Sequence, residues 1–167
     1  LIDFLRFSTF YASQVYADQP YSETGILNRM EYRALEGFVF SLTPFNFTSI
    51  ASNLNMAPAM MGNVAVWKPS TTAIHSNYFL MKVFQEAGVV NFIPGQGSVI
   101  GKVITGSRDL AGFHFTGSTS TFNTLWRQIG ENLGHYKSYP KIVGETGGKN
   151  FIFAHPSAPA LDVATAI

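Results

Sequence analysis

Apolar residues fall in short unbroken runs, spaced by longer segments in which they recur every three or four positions. "EGFVFSLTPFN", "VAVWKPS", "VVNFIPG", "AGFHFTG" and "KIVGE" hold such runs, each followed by Pro, Gly or a charge. A strand apolar on successive positions has both faces covered, as in a parallel sheet packed between helices. The segments between them predict helices over residues 1–17, 47–63, 70–88, 98–105 and 120–133. The first carries Phe4, Phe7, Tyr11 and Val15 at helical spacing, and the second contains Pro58, expected to break it before Gly62. Ser70 or Thr71 is the expected cap of the third and Gly88 its stop. Residues 18–34, with Pro20 and Gly25, predict an extended arm. "NFIFAH" predicts a further strand, and a helix begins near Asp162.

Strand and helix alternate with short connections, which gives an α/β fold: a Rossmann-like parallel sheet with helices on both faces. Ligands in such sheets sit at the carboxyl ends of the strands. One junction is abrupt: "EAGVVNF" passes from helix to strand with almost no turn.

Composition narrows the possibilities. The 167 residues suffice for one sizeable core. Only 13% are charged, against a usual share of about 25%, so part of the surface is expected to be covered by further protein. The net charge is +1 with scattered basic residues, which gives no nucleic-acid groove. No apolar run reaches the ~18–20 residues of a membrane span. With no cysteine, disulfides, thiolate metal sites and cysteine nucleophiles are excluded within these residues. His75, His114, His135 and His155 lack metal-ligand spacing, so no metal is expected.

Five short stretches could carry chemistry. "PGQGSVIG" sets Gly95, Gly97 and Gly101 between a strand and a helix, but Ile100 stands where the dinucleotide fingerprint has its third glycine. A tight turn explains it equally. "FTGSTS" places Ser118 at a helix start, where it either caps the helix or helps hold a phosphate. Lys68 in "WKPS" ends a strand, either bonding a ribose hydroxyl or standing solvated at the surface. Asn46 in "TPFNFT" is an amide between two phenylalanines, either a donor toward a reacting oxygen or a turn residue. Glu145 in "IVGETGGKNFIF" sits among glycines, as a general base or a strand-end carboxylate.

Taken in order, "TPFNFT", "WKPS", "PGQGSVIG", "FTGS" and "GETGGKN" resemble the cofactor-binding half of the aldehyde dehydrogenase superfamily. "YRALEGFVFSLTPFNFT" and "WRQIGENLGHYKSYPKIVGETGG" are similar to its Δ1-pyrroline-5-carboxylate (L-glutamate γ-semialdehyde) dehydrogenase branch. The resemblance implies NAD as cofactor, an aldehyde substrate, and a homo-oligomer in the cytoplasm or mitochondrial matrix. In the family a cysteine attacks the aldehyde, hydride passes to the nicotinamide, and water releases the acid. The resemblance makes Asn46 the oxyanion donor, Glu145 the base for the hydrolytic water, and Phe47 an aromatic neighbour of the aldehyde. It makes Thr43, Lys68, Gly97, Gly101, Phe115, Gly117, Ser118 and Thr121 cofactor contacts. Residues 35–144 would be the dinucleotide-binding domain, residues 1–17 its helix, residues 18–34 an oligomerisation strand, and residues 145–167 the start of a catalytic domain.

Two departures stand out. The nucleophilic cysteine is missing, so these residues read as a fragment, inactive alone, of a larger enzyme. Thr71 stands where many NAD-preferring relatives have a glutamate, which leaves NADP open. A non-catalytic dinucleotide-binding or interaction module on the same scaffold, or a dehydrogenase for another aldehyde, are the other readings.

Overall fold

The computed structural model describes residues 1–167. Five parallel strands, β1 (Phe38–Leu42), β2 (Val64–Lys68), β3 (Val90–Phe92), β4 (Leu110–Gly117) and β5 (Lys141–Thr146), form one sheet in the order β3-β2-β1-β4-β5. The α-helices are α1 (Ile2–Ala17), α2 (Thr48–Met60), α3 (Ile74–Phe84), α4 (Gly97–Thr105), α5 (Thr119–Glu131) and α6 (Ala160–Ala166). The α/β reading holds, and the strands' continuous apolar runs have the expected cause. Alternate residues of each strand enter two different cores. Phe40, Phe113 and Phe115 pack with Ile104, Leu125 and Ile129 on the side of α4 and α5. Ala65 and Trp67 pack with Ala51 and Phe84 on the side of α2 and α3. A register shift between Phe38 and Val39 on β1 lets Leu110 join the first set.

The sequence expectations differ from the structure at several points. Pro58 lies inside α2 without breaking it. The helix closes at Gly62, whose φ of +84° is glycine territory, while Asn63 bonds back to the Pro58 carbonyl. Neither Ser70 nor Thr71 makes a side-chain cap: a 3₁₀ turn, Thr71–Ala73, leads into α3. The abrupt junction after α3 is a 3₁₀ turn, Gln85–Ala87, closed by Gly88 at φ +68°. "NFIFAH" forms no strand. Only β4 flanks β5 and no other chain segment offers "NFIFAH" a ladder, so Phe151 and Phe153 stand exposed.

On α1 the stripe of Phe4, Phe7, Tyr11 and Val15 is exposed, and Leu5 is the residue that meets the α2–α3 core. The arm forms no strand and doubles back. Gln19 exchanges hydrogen bonds with the backbone of Met30, and Ser22 with that of Asn28, around Gly25. No helix is long and apolar enough to cross a membrane.

Candidate functional site

β1 is the point where the sheet changes direction. From it the chain moves outward through β2 and β3, then returns to its other side with β4 and β5. The loops leaving the carboxyl ends of β1 and β4 therefore diverge, and a crevice opens between them. A cavity of about 520 Å³ lies there. Thr43, Pro44, Phe45 and Asn46 enter it from the loop after β1, Lys68 and Ser70 from the end of β2, and Gly97 from the start of α4. Phe115, Thr116, Gly117, Ser118 and Thr121 come from the β4–α5 junction, and Glu145, Gly147 and Gly148 from the end of β5.

Lys68 is the least ordinary of these. It is not a surface lysine: only 6% of it is exposed. None of the three ion pairs in the chain includes it. Burial pushes its ammonium below the ordinary lysine value. Its Nζ lies beside Gly97, 3.8 Å from where a Cβ there would stand, so the glycine leaves the amino head open to the cavity. A buried cation without an acid in reach is suited to a polar or anionic ligand.

Across the cavity, Ser118 caps α5: its Oγ accepts from the Thr121 N–H at 3.3 Å and donates to Thr121 Oγ1 at 2.8 Å. The capping alternative is thus realised, and the N–H groups of Thr119 and Ser120 remain without an intrahelical acceptor. Gly117 is required by its neighbour. A Cβ there would stand 2.7 Å from Cζ of Phe115, whose ring forms the apolar floor of the cavity.

Thr43 is buried, and its Oγ1 accepts the indole N–H of Trp67 at 2.9 Å, which fixes the end of β1 to that of β2. Asn46 follows two residues after Pro44 and lies just before α2. Glu145 lies on the edge strand β5, opposite Thr116, with its side chain exposed. Gly144 beside it faces α5: a Cβ there would run into the Phe122 ring.

Nine of the eleven residues singled out in the sequence meet in this one cavity. Phe47 and Gly101 do not. Phe47 is the half-exposed N-cap residue of α2, outside the lining. Gly101 is buried in α4, where its missing side chain leaves room for Leu125 of α5, 3.2 Å from a Cβ built there; it borders an adjoining hollow of about 420 Å³. The sequence reading overlooked Phe45, Ser70 and Thr116. All three stand within three residues of a strand's carboxyl end, which is the signal that finds them.

Residues 1–167 match the family model described as "Aldehyde dehydrogenase family". A Schizosaccharomyces pombe protein named as a probable Δ1-pyrroline-5-carboxylate dehydrogenase is 56% identical over 95% of this chain and 30% of its own length. The mitochondrial Δ1-pyrroline-5-carboxylate dehydrogenase of Danio rerio is 47% identical over 99% of this chain and 30% of its own. The crystal structure of the NAD-bound Δ-pyrroline-5-carboxylate dehydrogenase of Mycobacterium tuberculosis superimposes with a TM-score of 0.89 at 50% identity, covering 99% of this chain and 32% of that one. The chain thus spans about 30% of the length of the curated relatives it matches. The sheet with its switch-point cavity and the family match over every residue lead to one conclusion: the chain belongs to the aldehyde dehydrogenase family.

Proposed function

We propose that these residues are the cofactor-binding part of a longer NAD-dependent aldehyde dehydrogenase. The complete protein oxidises L-glutamate γ-semialdehyde, derived from Δ1-pyrroline-5-carboxylate, to L-glutamate in proline catabolism. The observation that carries this reading is the buried, unpaired Lys68 in a switch-point cavity opposite a helix start. The names of the relatives supply the substrate and the cofactor.

The residues present fit a dinucleotide. Lys68 offers three donors to hydroxyl or phosphate oxygens, and the first turn of α5 offers free N–H groups to a phosphate. Gly97 keeps the space beside Lys68 clear. NAD, when bound, supplies the hydride acceptor. On the substrate side, the Asn46 amide donates to the aldehyde oxygen as charge grows there, and the Glu145 carboxylate takes a proton from the hydrolytic water. Phe47 flanks the aldehyde from outside the cofactor cavity. Thr43, Phe115, Gly117, Ser118 and Thr121 shape the cofactor side, and Gly101 sets how closely α4 and α5 approach beneath it. The nucleophile lies outside these residues, which hold no cysteine.

Within that protein, residues 35–144 form the dinucleotide domain with the helix of residues 1–17, and residues 145–167 open the catalytic domain. The arm of residues 18–34 joins a neighbouring subunit of a homo-oligomer. The mitochondrial matrix is its compartment, by likeness to the Danio rerio relative.

The test is cofactor titration and turnover of the complete protein. NAD binds and supports glutamate semialdehyde oxidation. Lys68→Met weakens NAD binding roughly 10- to 150-fold, the range for a lost hydrogen bond to a charged group. NAD affinity unchanged by Lys68→Met would sink the reading of the cavity. Because Thr71 is no carboxylate, NADP is titrated alongside; tighter binding of NADP would reassign the cofactor.

A further inference from the structure

Two side chains that have no part in the cavity converge on one atom that a proline leaves free. Within α2, the carbonyl of Leu54 would ordinarily accept the N–H of residue 58. Residue 58 is Pro58 and has no N–H. That carbonyl is instead approached from the sheet: Ser41 Oγ donates to it at 3.0 Å, and His114 Nδ1 lies 3.0 Å from it. A carbonyl only accepts, so Nδ1 is the protonated nitrogen, and two donors match its two lone pairs. Ser41 and His114 are direct register partners on β1 and β4, the two strands that border the switch point. Leu54 and Ser41 are buried.

A carbonyl released by a proline in the last turn of α2 is thus met by a pair of side chains that face it from adjacent strands. The arrangement fastens α2 about two turns, or roughly 10 Å, from its start. Phe47 caps that start, its carbonyl bonded to the Ala51 N–H, and Asn46 precedes it. We infer that Ser41, His114 and Pro58 form a clamp that sets α2 on the sheet and thereby aims Asn46 at the aldehyde oxygen. Ser41 and His114 are then positioning residues, a role that rests on the function proposed above.

The experiment uses the complete protein, with kcat and KM measured for glutamate semialdehyde and NAD. His114→Leu lowers kcat about tenfold, since misplacement of a reacting geometry by ~1 Å costs up to about a hundredfold. The KM for NAD stays within about twofold, because Lys68 and Ser118 lie off α2. His114→Asn keeps a donor near the Nδ1 position and restores most of the loss, while Ser41→Ala gives a smaller loss of the same kind. The decisive arm is Pro58→Ala. It returns an N–H to the helix, so adding His114→Leu to it costs less than about twofold, a non-additive pair. Equal losses for His114→Asn and His114→Leu, or a full tenfold loss in the Pro58→Ala background, would overturn the clamp. A KM for NAD that rises in step would do the same. If the unmutated protein oxidises no aldehyde, the proposed function fails, and hydrogen exchange then decides. Faster exchange of α2 amides in His114→Leu than in His114→Asn upholds the fastening of α2, and equal exchange overturns it.

Discussion

The two sides of the sheet are built from different chemistry. On the α4–α5 side the sheet presents phenylalanines: Phe40 and Phe113 stack at 5.9 Å between centroids, and Phe113 and Phe122 at 6.1 Å. On the α2–α3 side, Ser41, Ser52 and Asn55 are wholly buried and donate hydrogen bonds to carbonyls of α2, and Asn77 is wholly buried without a partner. The first side is held by area and shape. The second contains directional groups that tolerate little sliding. The cavity lies at the seam of the two. Its aromatic floor comes from the packed side, and the loop carrying Asn46 leads into the hydrogen-bonded side. Packed rings and buried hydrogen bonds therefore meet at the edge of the cavity.

This contrast is open to attack at several places. The largest effect is expected for Phe113→Ala, at the centre of the aromatic stack: about 3–5 kcal/mol of stability lost, read from urea unfolding of the complete protein. A cost below about 1 kcal/mol would mean that packing does not hold that side. Gly144→Ala drives a Cβ into the Phe122 ring and is expected to cost about 1–3 kcal/mol by overpacking, with a shifted β5 end at Glu145. A neutral result would show that the aromatic side yields easily.

The polar side gives the opposite sign. Both amide atoms of Asn77 lack a partner in the buried interior, so Asn77→Leu is expected to gain about 1–3 kcal/mol, the desolvation of an unpaired amide. Destabilisation instead would reveal that the amide is paired and that this side is tighter than it looks. The smallest effect concerns pH. Burial holds the His114 imidazole below its ordinary value of 6.5, while the hydrogen bond to Leu54 works weakly the other way. The unfolded chain therefore takes up the proton first as pH falls. Stability is whole above about pH 6.5 and declines below it. His114→Leu should flatten the drop in urea midpoint between pH 7.5 and 5.5, and an unchanged slope would assign it to other groups.

Much of this was legible in the sequence, and the failures have physical causes. Continuous apolar strands announced the doubly covered sheet, because covering both faces removes the alternation that half-buried strands show. Strand ends followed by polar residues located the cavity. Pro58 misled because local propensity counts the lost N–H and not the donors that strands β1 and β4 bring to the stranded carbonyl. "NFIFAH" misled for the converse reason: its β character is real, but a strand exists only with a partner. Lys68 defied the rule that lysines are solvated, since neighbouring strand ends on both sides bury whatever ends β2. Gly101 looked like half a cofactor motif, and its closest relation is to Leu125 on the next helix. Spacing along the chain cannot separate those two uses of a missing side chain.

The Gly88 turn between α3 and β3 has a consequence for how this scaffold can change length. Nothing stands within 4 Å of a Cβ built at Gly88, and the turn closes on itself through one backbone bond to Gln85. It lines no part of the cavity, whose nearest residues in sequence are Gly97, nine positions on, and Ser70, eighteen back. Lengthening a loop costs only about 0.6 kcal/mol per doubling. The junction is thus a ready point for insertion, where evolution or an engineer can graft a segment, a label or a fused domain without disturbing the chemistry.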